Sequence, residues 1–297
     1  MKPSSELYAG IELGGTKCVA VLARGPTDIV ARETVPTTVP DETLGQLGQI
    51  LSQWRSSDGF EALGIASFGP LDLDPNSSGY GRIASTPKPG WSNADIKGRL
   101  SEVVGVPVGF DTDVNGAALA EMRWGSAVGF DDFAYITVGT GVGVGLIVNG
   151  KPTRGFAHCE LGHIRVARLA DDHFEGSCPF HGDCVEGLSA GPSLKSRVGS
   201  DDLSGIPDSD RIWESVASAL AQLCQAIVCA GAPRAISMGG GVIERQPHLL
   251  EHVNRLLIES LNGYLKLPGP GPYVRLPALG TNAGPLGAIA LAMDAGR

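Results

Sequence analysis

Cysteine is scarce. Six residues in a chain of 297, unevenly spaced, are too few for the disulfide framework of a small secreted scaffold, and they fit a reducing compartment. Positive charge is also in deficit, with 23 Lys plus Arg against 32 Asp plus Glu. The net charge of −9 repels phosphate backbones and anionic membrane surfaces, so partnership with nucleic acid or a membrane is disfavoured. The first residues, Met1 to Glu6, are polar, and no long apolar stretch of a secretion signal precedes the first apolar run at Leu7 to Leu13. Long hydrophobic runs are missing too. The most apolar stretches, Tyr135 to Val148 and Ala217 to Ala232, are broken by glycines or by Gln222 and Gln225, and neither offers about twenty lipid-compatible residues. A soluble cytoplasmic chain is expected.

What the chain does have is apolar content, at 42% hydrophobic and 19% charged residues, which suits packed cores and not disorder. Its length is roughly twice the commonest domain size, which points to two lobes. Glycine stands out: 42 residues, about 14%, against a usual share of roughly 7%, with no collagen period. Many positions must need positive φ or close backbone approach.

Tyr8 to Leu13 reads as a strand entering the turn Gly14-Gly15-Thr16-Lys17, and Cys18 to Ala23 resumes an apolar run, which makes a hairpin. The pattern returns at Phe133 to Val148, with Ile136 standing 136 − 11 = 125 residues after Ile11, as a duplicated design would. Between the hairpins, the spacing predicts helices at Thr43–Trp54, Asn93–Val103 and Val114–Trp124, the last with Asp113 as its N-cap, and strands at Ala62–Ser67 and Val106–Phe110. An insertion rich in Gly, His and Cys follows to about residue 190. Then come a helix at Asp210–Cys229, a strand at Ala235–Met238 with a three-glycine turn, a helix at His248–Lys266, a strand at Tyr273–Leu276 and a last helix from Asn282 to Met293. The fold class is α/β.

Three glycine turns each follow a strand: Gly14-Gly15-Thr16-Lys17, Gly139-Thr140-Gly141 and Gly239-Gly240-Gly241. Small residues there let backbone N–H groups converge on an anion, although each turn alone also reads as a tight hairpin. The first lacks the spacing of a Walker A loop. Glu12 precedes that turn, where a carboxylate beside phosphates calls for a divalent cation such as Mg²⁺ held through water; a solvent-facing strand residue is the alternative. Asp111 and Asp113 end a strand, where α/β proteins present catalytic groups, and one of them could accept a hydroxyl proton. His163, Cys178, His181 and Cys184 form a His-x14-Cys-x2-His-x2-Cys array that would close a tetrahedral zinc shell with no open position, hence a structural site. A Cys178–Cys184 disulfide is the competing reading, and His158, Cys159 and His173 are possible rival ligands. Cys18, Cys224 and Cys229 read as core thiols.

Together, Gly10-Ile-Glu-Leu-Gly-Gly-Thr-Lys17, Asp113-Val-Asn-Gly-Ala-Ala-Leu-Ala-Glu121, Glu160-Leu-Gly-His163, the Cys/His array and Gly239-Gly-Gly-Val242 resemble the ROK family of sugar kinases. The resemblance implies an actin-like ATPase fold with two ribonuclease-H-like lobes closing on ATP and a sugar. It divides the chain into an N-terminal α/β lobe, 1–117 with a returning helix 283–297, and a C-terminal lobe, 118–282, carrying a zinc-binding insertion at 155–190. Ala66-Ser-Phe-Gly-Pro-Leu-Asp72, Thr86-Pro-Lys-Pro-Gly-Trp91 and Asp111-Thr-Asp-Val-Asn115 look most like bacterial fructokinases of the family, whose glucokinases usually have Asn where Thr112 stands.

By the same resemblance Asp113 is the base for the sugar hydroxyl, while Glu160, Glu186 and His163 bind the sugar, His163 also serving zinc. Gly69, Lys88 and Thr112 belong to segments lining the sugar pocket. Gly14, Gly15, Thr16, Lys17, Gly139, Thr140, Gly141, Gly239 and Gly240 match the ATP segments. The implied reaction is phosphorylation of fructose by ATP with Mg²⁺, in a homodimer. The alternatives are a kinase for glucose, mannose or an N-acetylhexosamine, and a non-catalytic sugar sensor; the family's repressors carry a helix-turn-helix ahead of the first glycine strand, where only about seven residues stand here.

Overall fold

The computed structural model describes residues 6–200, 202, 203 and 205–297, so the polar N-terminal stretch lies, but for Glu6, outside the described residues. The chain divides into two compact units: 1–129 with 153–158 and 281–297, and 130–152 with 159–280.

The first unit is built on a hairpin of β1 (Tyr8–Leu13) and β2 (Lys17–Gly25), flanked by the edge strand β3 (Asp28–Pro36). The helix α1 (Pro40–Ser57) leads to β4 (Leu63–Ser67), and α2 (Ile96–Val104) leads to β5 (Val108–Thr112) and α3 (Asp113–Trp124). Residue 117, the expected end of the first lobe, lies inside α3. The sheet order is β3-β2-β1-β4-β5, with β4 and β5 parallel to β1. β3 escapes the sequence reading because only Val35 on it is clearly buried; polar residues on an edge strand hide the alternation. α2 starts three residues later than its apolar spacing suggests. Asn93 sits at φ 62°, and the Asp95 carboxylate accepts from Gly98 N–H at 2.8 Å as the true cap. Asp113 is likewise not the cap of α3 but its first residue: the Thr112 hydroxyl accepts from Asn115 N–H at 3.1 Å.

The second unit repeats the plan. β6 (Phe133–Val138) and β7 (Val142–Val148) form its hairpin, and β8 (Lys151–Pro152) pairs outside β7. The insertion ends in α4 (Val185–Ser189), and after it come α5 (Gly191–Val198), α6 (Arg211–Gly231), β9 (Ile236–Gly239), α7 (Gly241–Arg245), α8 (Leu249–Leu261) and β10 (Val274–Arg275). The sheet order β10-β9-β6-β7-β8, with β9 and β10 parallel, is the order of the first sheet read from the other end. β6 is β1 displaced by 125 residues, 133 − 8 and 138 − 13, so the repeat seen in sequence is a repeat of topology.

α6 is 21 residues long and apolar enough, by length and composition, to cross a membrane, which revises the sequence reading of that stretch. Its Trp213, Val216, Leu220, Leu223 and Ile227 are buried in the unit's core against α8 and the sheet. α8 stops at Leu261, short of Lys266, because Asn262 turns left-handed and closes it. Cys224 is buried as expected, but Cys229 is exposed on the last turn of α6.

The last helix, α9 (Ala283–Ala295), belongs to the first unit and packs on β1, β4 and α3. Alternation sends Ile11 and Leu13 into a core with Leu47 and Leu51 of α1, leaving Gly10 on the opposite face, toward α9. Gly10, Gly64 and Gly109 are in register across β1, β4 and β5. This glycine row lets the helix backbone lie directly on the sheet: a methyl at Gly64 would collide with the Ala288 carbonyl, and one at Gly109 with that of Leu291.

Gly64→Ala should therefore destabilise the protein by about 1–3 kcal/mol or more, since backbone and not a flexible side chain is in the way. Gly45→Ala, on the exposed side of α1 with open space around it, should stabilise by about 0.5–1 kcal/mol through helix propensity. Urea unfolding midpoints of the two variants, moving in opposite directions, check this.

Candidate functional site

In the first unit three strands stop together, with Leu13 beside Ser67 and Ser67 beside Thr112. The residues just beyond this row, Gly14 to Lys17, Phe68 with Gly69, and Asp113, therefore gather at the carboxyl edge of the sheet, where α/β proteins bind ligands. The Gly14 turn is closed by Gly14 N–H donating to the Lys17 carbonyl at 3.2 Å, and the Thr37 hydroxyl donates to the Gly14 carbonyl at 2.7 Å. Lys88 reaches the same turn, its Nζ donating to the Gly15 carbonyl at 2.6 Å. Gly69, in a cis peptide with Pro70, lies under the ring of His158, whose Nε2 accepts from Leu71 N–H at 2.9 Å. His158 thus serves this loop and stands outside the group of His163, Cys178, His181 and Cys184.

The two aspartates of β5 and α3 part company. Asp111 is 1% exposed and accepts from Thr112 N–H at 2.7 Å, from Asn115 Nδ2 at 2.8 Å and from the Arg154 guanidinium. A buried carboxylate with three donors holds the β5–α3 junction in shape. Asp113 is only partly buried, and its Oδ1 accepts from Val114 N–H at 2.9 Å. Thr112 is 3% exposed with its hydroxyl committed to the α3 cap, so its approach to a ligand would be through backbone.

Glu12 projects from the α9 face of β1, against Gly284 in the first turn of α9. Burial first, then the Asp113 carboxylate, raise its pKa to about 7, while Lys17 and Arg32 pull it down. Two neighbouring carboxylates, one desolvated, are an arrangement a divalent cation would relieve.

In the second unit the turns Gly139–Gly141 and Gly239–Gly241 are neighbours, because β6 and β9 are parallel with Thr137 beside Gly239. The third turn is not a hairpin. Gly240, at φ 91° and ψ 164°, turns β9 directly into α7, and a side chain there would meet Thr137 Oγ1 and the Val138 carbonyl. Gly139 N–H donates to the Gly141 carbonyl at 2.9 Å, and Glu186 Oε2 accepts from Val142 N–H at 3.1 Å, against the same turn. Glu160, in exposed chain, accepts on its carbonyl from His163 N–H at 3.0 Å.

His163, Cys178, His181 and Cys184 converge, with one ligand atom from each and all four atoms within 4.8 Å of one another. His163 Nδ1 lies 3.7 Å from Cys178 Sγ and 3.6 Å from Cys184 Sγ, and His181 Nδ1 lies 3.7 Å from Cys178 Sγ. A tetrahedral zinc with Zn–S near 2.3 Å and Zn–N near 2.0 Å has S···N edges of about 3.5 Å, so the spacing fits that ion. All six cysteines are free thiols, and Cys159 and His173 stand outside the cluster. Burial and the adjoining Cys178 push the Cys184 thiol up to about 11, so a thiolate there needs a cation.

Arg154 and Thr37, which steady these edges from a distance in sequence, leave no signal in the sequence itself. The remaining expected residues fall at the two carboxyl edges or in the cluster, each within its own unit.

Comparison with known proteins bears on this geometry. A fructokinase from Zymomonas mobilis is 42% identical over 299 residues, covering 99% of each chain. Among solved structures, a ROK hexokinase from Thermus thermophilus matches with a TM-score of 0.78 and 28% identity, covering 97% of this chain and 98% of that one. A ROK family glucokinase from Streptomyces griseus, in complex with glucose and AMPPNP, matches at 0.76 and 25%, covering 97% and 99%. The protein is an ATP-dependent sugar kinase with the actin- and sugar-kinase-like fold. The family model for ROK matches residues 8–295, and the chain belongs to the ROK family.

Ionised Glu12 is costly to the fold. With a pKa near 7 in the folded protein against 4.5 unfolded, the group favours folding below about pH 4.5, and that contribution is lost as pH rises through 7. Glu12→Gln should therefore stabilise the metal-free protein at pH 8 by up to about 3 kcal/mol and change nothing below pH 4.5. Thermal unfolding of both proteins across that range reads the difference.

Proposed function

We propose that the protein transfers the γ-phosphoryl group of ATP to the 6-hydroxyl of D-fructose, giving fructose 6-phosphate. The observation that carries the reading is the common row of strand ends in the first unit, which sets a glycine turn and the two partly buried acids Glu12 and Asp113 at one edge. Asp113 orients the sugar hydroxyl and takes its proton as the bond to phosphorus forms. Its place at a helix N-terminus makes it a weak base, which phosphoryl transfer tolerates because positioning and charge stabilisation supply most of the rate.

The turns Gly14–Lys17, Gly139–Gly141 and Gly239–Gly240 receive the nucleotide through backbone N–H groups, with Thr16, Lys17 and Thr140 beside them. Glu12 would hold Mg²⁺, which would supply neutralisation of phosphate charge. Glu160, Glu186 and His163 accept or donate to the sugar hydroxyls, and the segments of Gly69, Lys88 and Thr112 shape the pocket. His163, Cys178, His181 and Cys184 hold Zn²⁺ and fold the segment around it. Coordination through Nδ1 leaves the Nε2 of His163 available for the sugar.

Preference for fructose is supported by the Zymomonas mobilis relative and by Thr112 and Lys88, where the fructokinase-like motifs stand. The repeated strand order supports a ribonuclease-H-like origin for both units. A cytoplasmic setting is supported by six free thiols, and the net charge of −9 argues against nucleic acid and anionic membranes as partners. The family likeness supports a homodimer.

Coupled assays over a panel of hexoses should give fructose a kcat/KM at least about tenfold above glucose, mannose or N-acetylhexosamines, roughly what modest pocket contacts achieve. A higher value for glucose would reassign the substrate. Asp113→Asn should lower kcat about 10²–10⁴-fold with no loss of unfolding midpoint and unchanged zinc content. Elemental analysis should find one zinc per chain in the native protein and none in Cys184→Ser.

A further inference from the structure

The metal cluster and the glycine turn of the second unit are joined through the backbone of a single residue, Val142, the first after the turn. On its N–H side sits Glu186 Oε2, at 3.1 Å. Glu186 is two residues beyond the metal-cluster ligand Cys184, on the first turn of α4, which Cys184 precedes as the flanking residue. On its carbonyl side lies Gly162, next to the ligand His163, packed so closely that a methyl at residue 162 would collide with the Val142 oxygen.

The two ligand segments also hold each other, since Val185 N–H donates to the Ile164 carbonyl at 3.1 Å. The first turn of α5 completes the frame: Gly191 N–H donates to the Gly139 carbonyl at 2.8 Å, and the Ser193 hydroxyl to the Glu186 carbonyl at 2.9 Å. Both ends of the turn Gly139-Thr140-Gly141 are thereby held by the chain that follows the ligand Cys184, at Glu186 and Gly191.

We propose that the metal cluster sets the shape of the Gly139–Gly141 turn, so that zinc and the nucleotide strengthen each other's binding, with Glu186 as the positioning residue that couples them through Val142. This rests on the functional reading above, in which that turn receives ATP. It assigns Glu186 a duty separate from any contact with sugar, and directed at the other substrate. The physical basis is that backbone N–H groups bind an anion well only when they already point together, and a hairpin turn of Gly-Thr-Gly has too little side-chain packing to hold such a shape by itself. Coupling of this kind is reciprocal: whatever factor zinc adds to nucleotide affinity, nucleotide adds to zinc affinity.

The test uses the full-length protein without sugar, so that sugar contacts play no part. Zinc affinity is measured by competition with a fluorescent chelator, with and without saturating AMPPNP supplied as its magnesium complex. Nucleotide affinity is measured by calorimetry on zinc-loaded and stripped protein. In the wild type each ligand should tighten the other by the same factor, about fivefold or more. Glu186→Ala should bring that factor close to one while still binding zinc. Glu186→Gln, whose amide oxygen can still accept from Val142, should keep most of it.

Equal zinc affinity with and without AMPPNP would overturn the proposal, as would full coupling in Glu186→Ala. Should Glu186→Ala fail to fold, the wild-type chelator measurement decides alone. If the zinc-loaded wild type binds no nucleotide, the functional reading falls and takes this proposal with it. Binding without coupling defeats the proposal only.

Discussion

Close contact between a helix backbone and a sheet is the constraint on which the first unit depends. Gly10, Gly64 and Gly109 remove the side chains of β1, β4 and β5 from one row of the sheet, and α9 occupies the space. Because α9 is the last helix of the chain, the unit is completed only when residues 281–297 return to strands that began at residue 8. The same placement brings the first turn of α9 against Glu12, so the packing that closes the unit also desolvates a carboxylate at its functional edge. Fold closure and site electrostatics are thus one event.

Both units use the same device to make a site. A hairpin and two parallel strands end at one edge, and glycine-rich turns follow there. The chemistry is then divided. The first unit adds acids, with Asp111 consumed by Thr112, Asn115 and Arg154 and Asp113 left less buried beside it. The second adds a set of thiols and imidazoles fixed close to its turn.

In both units buried groups are held in states that favour a cation. Glu12 is pushed up to about 7 and Cys184 to about 11, each chiefly by burial. Without a positive partner these groups prefer to keep their protons; a divalent cation reverses that preference.

The sequence by itself determined the hairpins, their 125-residue repeat, the glycine turns and the four ligands Cys178, Cys184, His163 and His181, because each is a local pattern of hydrophobic period or residue spacing. It also carried the likeness to ROK sugar kinases. It did not reveal β3, whose edge position hides its alternation, nor that Asn93 would turn left-handed and delay α2, nor that Thr112 and not Asp113 caps α3. Tertiary structure alone decided which aspartate is saturated, since Arg154 lies 43 residues from Asp111. It alone set Lys88 on the Gly15 carbonyl and Glu186 on Val142. Those contacts join segments far apart in the chain, and spacing along a sequence records nothing about pairs brought together only by the packing of other residues.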